Sequence, residues 1–129
     1  MPTTREFTLQ AIGQVSVPVR DLDRALAFYR DVLGLRFLFQ VPGMAFLDCG
    51  GVRLSLAVPT SDEFDHPASI LYYRVADLDS AHAALASRGV RFETAPHRVA
   101  ELDDHELWMA FLRDSEGNVL ALMEERAKA

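Results

Sequence analysis

The chain of 129 residues carries 13 basic and 19 acidic side chains, a formal net charge of −6, and half of its residues are apolar. This balance fits one soluble domain over residues 1–129, and it argues against nucleic acid and anionic membranes as partners, because both require clustered Lys and Arg. The sequence has no run of the roughly 20 apolar residues that a membrane span needs, no signal-peptide pattern and a single cysteine, so it favours a cytoplasmic location.

An internal repeat organises the chain. The segment that starts at Asp21 reads DLDRALAFYRDVLGLRF, and the segment that starts at Asp77, 56 residues later, reads DLDSAHAALASRGVRF. A repeat of this length indicates two copies of one supersecondary unit. We place the first module at about 11–58, a polar linker at 59–68 and the second module at about 69–125.

Each module is predicted to begin with a strand and continue into a helix. The strands show alternating apolar residues, which are Val15, Val17 and Val19 in the first module and Leu71, Tyr73 and Val75 in the second. Asp21 and Asp77 are suited to cap the helices, because a short carboxylate can accept the free N–H groups of a first turn. Gly34 and Gly89 fit the helix ends, where a left-handed residue is needed.

Three short strands are expected after each helix. In the first module they lie near 36–40, 44–48 and 52–58, and in the second near 91–95, 107–113 and 119–124. The sequence DSEGN at 114–118 is a strong hairpin signal between the last two strands. The stretch from Pro96 to Glu106 is then a long connection between strands.

The helix sequence DLDRALAFYRDVLGL and the hairpin sequence DSEGNVLALMEE resemble the vicinal oxygen chelate superfamily, the glyoxalase/bleomycin resistance protein/dioxygenase family. The resemblance covers roughly residues 11–125. It implies an α+β fold in which two βαβββ modules form curled mixed sheets around a cavity. It also implies that the chain pairs as a homodimer.

Enzymes of this superfamily usually place four metal ligands on the first and last strands of the two modules. By resemblance, these positions correspond to Gln14, Ser55, Ile70 and Ala121 in this chain. Isoleucine and alanine offer no donor atom, and serine is a poor ligand unless it is ionised. We therefore expect no metal at this site and no cofactor.

Strand alternation predicts which side chains line the cavity instead. The strand faces that carry the four usual ligand positions combine apolar surface with an amide, hydroxyls and two guanidinium groups. This is the usual composition of a ligand pocket. The complete set of candidate ligand-binding residues is Gln14, Arg53, Ser55, Ile70, Tyr72, Arg74, Trp108, Met109, Phe111, Ala121 and Met123. Each of these has a plainer interpretation as core or rim.

A second candidate is the stretch that holds His97, His105, Glu106 and the only tryptophan, Trp108. It could supply an unconventional metal site, act as a lid over a ligand, or be a surface loop with Trp108 in the core. The two histidines are eight positions apart, which is not a tight ligand spacing. The lone Cys49 has no recognisable base beside it and is interpreted as a small buried residue.

The leading hypothesis is a metal-independent binding protein that holds a hydrophobic, aromatic ligand and sequesters a toxic compound, similar to the bleomycin-resistance branch. The alternative is a glyoxalase-like lyase or isomerase, or a dioxygenase-related enzyme with a non-standard site, in which His97, His105 or Glu106 acts as acid or base. A third possibility is a degenerate member with a structural or regulatory role.

Overall fold

The first repeat forms a four-stranded mixed sheet in the computed structural model, which describes residues 7–67 and 69–128. Its strands are β1 (Gln14–Pro18), β2 (Arg36–Val41), β3 (Met44–Cys49) and β4 (Val52–Ala57), in the spatial order β1-β4-β3-β2. The opening strand runs parallel to β4, while the other pairs are antiparallel.

The second repeat builds the same sheet from later residues. Its strands are β5 (Leu71–Arg74), β6 (His97–Glu101), β7 (His105–Arg113) and β8 (Val119–Ala127), in the order β5-β8-β7-β6. Here too the opening strand is parallel to the last one. The predicted α+β fold of two βαβββ modules is therefore confirmed.

The helices begin and end where the sequence signals place them. The first, α1 (Leu22–Ala27), continues into a π-helical turn at Phe28–Val32, and the second is α2 (Leu78–Ser87). The carboxylates of Asp21 and Asp77 each accept the backbone N–H three residues on, at 3.1 Å. Gly34 and Gly89 follow the helices with φ of 82° and 87°, a conformation that strains residues with a Cβ. Among the described residues, no helix has both the length and the apolar character needed to cross a membrane.

Each sheet has two unlike faces, because side chains alternate along a strand. The helix-covered face of the first sheet carries Val17, Leu54 and Leu56, and that of the second carries Leu120 and Leu122. These residues form the two hydrophobic cores with α1 and α2. Neither α1 nor α2 covers the opposite side of its sheet, and we call that side the open face.

The segment after α2 differs from the sequence prediction. A strand was expected at 91–95, but within it only Phe92 makes an isolated bridge, to Leu112, and the strand β6 lies at His97–Glu101. The backbone N–H groups of Glu93 and Thr94 both donate to the Phe111 carbonyl, so regular strand pairing stops there. The stretch from Pro96 to Glu106, interpreted as a long connection, is instead a tight hairpin closed by the Leu102 N–H to the His105 carbonyl at 2.8 Å.

A buried hydrogen bond joins the two modules. The hydroxyl of Tyr29, in the π-helical turn, donates to Asp114 at 2.7 Å, and both residues are buried. The same carboxylate also accepts the backbone N–H groups of Glu116 and Asn118. Around this bond, Phe28 packs against both cores. We call this region, which ties the first helix to the second sheet, the joint.

We predict that Tyr29→Phe lowers the free energy of unfolding by about 1.5–3 kcal/mol, because it removes a donor from a buried carboxylate. Tyr73→Phe is the matched control. The Tyr73 hydroxyl is buried without a hydrogen-bond partner among the described residues, so its removal is expected to leave stability unchanged or raise it. Urea unfolding of the two variants measures both effects. Equal stabilities would contradict the role given to the Tyr29 hydroxyl.

Candidate functional site

The open face of the first sheet carries the predicted polar residues. Gln14 and Ser16 of β1 lie beside Arg53 and Ser55 of β4 in the parallel register. Phe46 of β3 pairs with Ser55 from the other side. The face therefore combines an amide, two hydroxyls and a guanidinium group with an aromatic ring.

Arg53 is an available cation of this face. It is exposed, and its guanidinium carbon lies 5.6 Å from the centre of the Phe46 ring. Within the described part of the chain it forms no ion pair. The ring of Phe39 stacks on Phe46 with centroids 4.5 Å apart. A cation held above two stacked rings offers a charge and a flat apolar surface in one place.

Ser55 lies beneath these groups. It is fully buried, and its hydroxyl has no hydrogen-bond partner among the residues described. A buried hydroxyl without a partner costs free energy. The arrangement is therefore stabilised by any polar group that reaches Ser55.

The open face of the second sheet is mainly apolar and aromatic. Tyr72 of β5 meets Phe111 of β7 edge-to-face, with centroids 6.0 Å apart. Ala121 pairs with Tyr72 across the strands, and Met123 pairs with Met109. Ile70 lies just before β5 and is 46% exposed, as is Tyr72. The sequence prediction that these side chains share a face agrees with the register.

Charged groups line one edge of this second open face. Arg74 pairs with Glu125 at 3.2 Å, and the His105 Nε2 atom lies 4.0 Å from the same carboxylate. His105 also contacts Asp104 at 2.7 Å through Nδ1, and this hydrogen bond lowers the pKa of Asp104. Arg74 is thus already paired, unlike Arg53.

Trp108 and Glu106 lie on the other side of β7. Trp108 packs against the second hydrophobic core, its indole N–H donates to Glu106 at 2.9 Å, and Arg126 lies 4.1 Å above the ring. Alternation places them opposite Met109 and Phe111, on the helix-covered face. Trp108 therefore does not share a surface with the other candidate ligand-binding residues, contrary to the sequence prediction.

The three candidate acid–base residues are not brought together. His97 Nδ1 contacts the Ala95 carbonyl at 2.8 Å, whereas Glu106 bonds to Trp108 and Arg98 across the sheet from His105. Hydrogen bonds from Trp108 and Arg98 lower the pKa of Glu106, so it is ionised at neutral pH. Among the described residues, no three His, Cys, Asp or Glu side chains are grouped closely enough to hold a metal ion.

Cys49 lies half-buried at the end of β3. Burial, and secondarily the nearby Asp48 carboxylate, raise the pKa of its thiol. A raised pKa disfavours the thiolate that a nucleophile needs. The interpretation of Cys49 as a small packing residue agrees with this environment.

Comparison with known proteins identifies the family. The sequence model of the Glyoxalase/Bleomycin resistance protein/Dioxygenase superfamily matches residues 11–122. The chain belongs to this superfamily. A metallothiol transferase FosB from Lysinibacillus sphaericus (strain C3-41) is 33% identical over 67 residues, which are 52% of this chain and 45% of that protein. The match thus spans less than half of the relative's length.

Solved structures of the superfamily share the fold. A lactoylglutathione lyase from Agrobacterium tumefaciens has a TM-score of 0.72 and 26% identity, covering 91% of this chain and 95% of its own. A glyoxalase/bleomycin resistance protein/dioxygenase from Alicyclobacillus acidocaldarius has a TM-score of 0.70 and 24% identity, covering 89% and 91%. Because the Alicyclobacillus protein is only 24% identical, its similarity shows a shared fold alone.

The superfamily's usual metal does not fit the residues present. Of the four positions expected to supply ligands, Ile70 and Ala121 have no donor atom, and Ser55 offers only an un-ionised hydroxyl. Gln14 is the one competent donor of the set, and divalent ions usually need three or more protein ligands. No step of the proposed function therefore involves this metal.

Two features of the candidate site are not among the residues expected from the sequence. The first is the stacked pair Phe39 and Phe46, which supports Arg53 on the open face. Strand alternation on β3, where Ala45 and Leu47 are buried under α1, is the signal that places Phe46 on the opposite face. The second is Glu125, which pairs with Arg74 because β8 extends to Ala127, beyond its predicted end.

We predict that the purified protein lacks a tightly bound divalent metal at these four positions. Two of the four residues have no donor atom, so the four positions cannot together bind a divalent metal ion. Elemental analysis after dialysis measures the content of zinc, nickel, manganese and iron. Near-stoichiometric metal that disappears in Gln14→Ala would contradict the prediction.

Proposed function

We propose that the chain is a metal-independent binding protein for a planar, apolar small molecule that carries a carboxylate or carbonyl group. The observation that carries this proposal is Arg53, which is exposed without an ion pair in the described residues and lies over Phe46. A guanidinium group in this setting can pair with a ligand anion and stack against its ring. The exposed amide of Gln14, beside Arg53 in the strand register, offers a second polar contact.

The apolar part of the ligand is assigned to the open faces. Tyr72, Phe111, Met109 and Met123 supply aromatic and thioether surface on the second sheet. Gln14 lies on β1 and Arg74 on β5, the edge strands of the two sheets, and both supply polar groups beside this apolar surface. Sequestration of a toxic compound, as in the bleomycin-resistance branch, is the biological role that best fits binding without an assembled catalytic group.

One observation favours an enzyme as a second candidate. His105 lies between the carboxylates of Asp104 and Glu125, an arrangement that can orient an imidazole for proton transfer. Neither Glu106 nor His97 completes the group, since Glu106 is on the other face and His97 contacts the backbone of Ala95. A lyase or isomerase would therefore depend on His105 and Glu125 alone, which makes binding the better-supported function.

We further propose that two copies of the chain pair through their open faces. Large apolar residues are left exposed there, including Phe39 at 42%, Val41 at 40% and Tyr72 at 46%. Exposed apolar surface on sheet faces of this kind suits an interaction or ligand-binding site. A second copy would cover it and enclose the ligand, and two-fold dimers are the commonest oligomers.

We predict that Arg53→Ala weakens binding of 1-naphthoate, a planar aromatic acid, by about ten- to a hundredfold, since a charge-assisted contact contributes about 1.5–3 kcal/mol. Tyr72→Ala is expected to weaken it through lost stacking surface. Calorimetry measures both affinities. Arg98→Ala and Trp108→Phe, on the helix-covered face of the second sheet, serve as controls and should leave affinity unchanged. Unchanged affinity in folded Arg53→Ala and Tyr72→Ala would contradict the assignment of the open faces.

We predict a dimer in solution, with twice the chain mass of 14.4 kDa by light scattering. Val41→Glu should shift the population toward the monomer, because it places a charge within the apolar open face. Ala83→Glu adds the same charge on the exposed surface of α2 and should leave the mass unchanged. A wild-type protein that stays monomeric at micromolar concentration would contradict pairing.

A further inference from the structure

A cavity lies beside the joint, away from both open faces. It has a volume of about 450 Å³ and lies between the first helix, the turn after α2 and the end of β7. Its walls include Arg24, Phe28, Val32, Val90, Arg91 and Ser115. We call it the joint cavity.

The positive charge of this cavity is not neutralised from within the fold. Arg24 and Arg91 are both exposed, and neither forms an ion pair in the described part of the chain. A third guanidinium in the wall, that of Arg113, is already held by Glu93 at 2.8 Å and by the Gly117 carbonyl. Two free guanidinium groups at one cavity are notable in a chain whose net charge is −6.

The carboxylates in the same wall are already occupied. Asp31 pairs with Arg30 through two hydrogen bonds of 2.9 and 3.2 Å. Asp114 accepts from Tyr29 and from the two donors of Asn118, with a further bond from the Glu116 N–H. Asp31 is neutralised by Arg30, and Asp114 is held by neutral donors, so the two unpaired guanidinium groups outweigh the one unpaired carboxylate and the wall keeps a net positive charge.

A buried hydroxyl adds an unused polar group. The Ser115 hydroxyl is inaccessible to solvent and has no hydrogen-bond partner among the described residues. Phe28, Val32 and Val90 supply apolar wall, and Phe28 and Val32 also pack against the second core. The cavity thus offers two cations and a hydroxyl next to an apolar surface.

We propose that the joint cavity is a second ligand site, which takes a small organic anion with one phosphate or carboxylate group and an apolar body. Arg24 and Arg91 hold the anionic group, since the planar guanidinium fork matches both phosphate and carboxylate oxygens. The apolar body lies against Phe28 and Val90. This site is independent of the open faces and of the function proposed for them.

Titration of the full-length protein with phenyl phosphate tests this proposal. We expect a dissociation constant of about 1 mM or lower by calorimetry, with amide shifts at Gly89, Arg91 and Ser115 in NMR spectra. Arg24→Gln and Arg91→Gln should each weaken binding about tenfold, the effect of losing one charge-assisted contact. Phenol and inorganic phosphate should each bind more weakly than phenyl phosphate, because each lacks one half of the recognised chemistry.

Two variants separate this site from other basic surfaces. Arg36→Gln removes the residue equivalent to Arg91 in the first repeat, and Arg53→Gln removes a cation of the open face; neither should change the phenyl phosphate shifts at Gly89, Arg91 and Ser115. Absence of binding, equal binding of phenol, or unchanged affinity in folded Arg24→Gln and Arg91→Gln would overturn the proposal. If Arg53→Ala weakens naphthoate binding and leaves the phenyl phosphate shifts at Gly89, Arg91 and Ser115 unchanged, the two sites are distinct.

Discussion

The hydrogen bond from Tyr29 to Asp114 is the constraint on which the arrangement of the two modules depends. Each module has its own sheet and core, and no strand of the first sheet pairs with a strand of the second among the described residues. The relative position of the sheets then depends on contacts such as those of α1 and its π-helical turn with the second module, and of Leu71 with the first core. Burial, with a smaller contribution from Asp114, raises the pKa of Tyr29, so the phenol is protonated and can donate at neutral pH. A second carboxylate, that of Glu116, accepts the N–H groups of Arg20 and Asp21 and fixes the start of α1 at the same place.

The placement of the two helices determines which surfaces are left for ligands. Because α1 and α2 occupy one face of each sheet, the opposite faces remain uncovered and carry Arg53 on one sheet and Tyr72 on the other. The polar groups of these faces differ in their availability. Arg74 is paired with Glu125, whereas Arg53 is supported only by an aromatic ring. A ligand anion would therefore meet less competition at Arg53 than at Arg74.

The repeat, both helix caps and the glycines that end the helices were predictable because each depends on local chemistry. The faces of β1, β4, β5 and β8 were predictable as well, since alternation needs only one buried position to fix the rest. The position of β6 was not, because the Glu93 and Thr94 N–H groups share one carbonyl of β7, a contact set by tertiary packing. Trp108 was misplaced for a related reason. Its type suggested ligand stacking, but the register of β7 turns it toward the core. The joint cavity had no sequence signal, since Arg24, Arg91 and Ser115 lie far apart in the chain.

The two halves of the chain descend from one repeated unit, yet the joint is one-sided. The position equivalent to Tyr29 in the second repeat is Leu85, a buried aliphatic residue without a hydroxyl. The first helix therefore carries the buried link, whereas the end of the second helix contributes an exposed one, from the Arg88 guanidinium to the Val32 carbonyl at 2.8 Å. A symmetric pair of identical modules would have two such links or none. Loss of this equivalence makes the halves complementary, so that neither can substitute for the other. The two sheets are thus held together by unlike contacts from the two halves, and each sheet presents different chemistry on its open face.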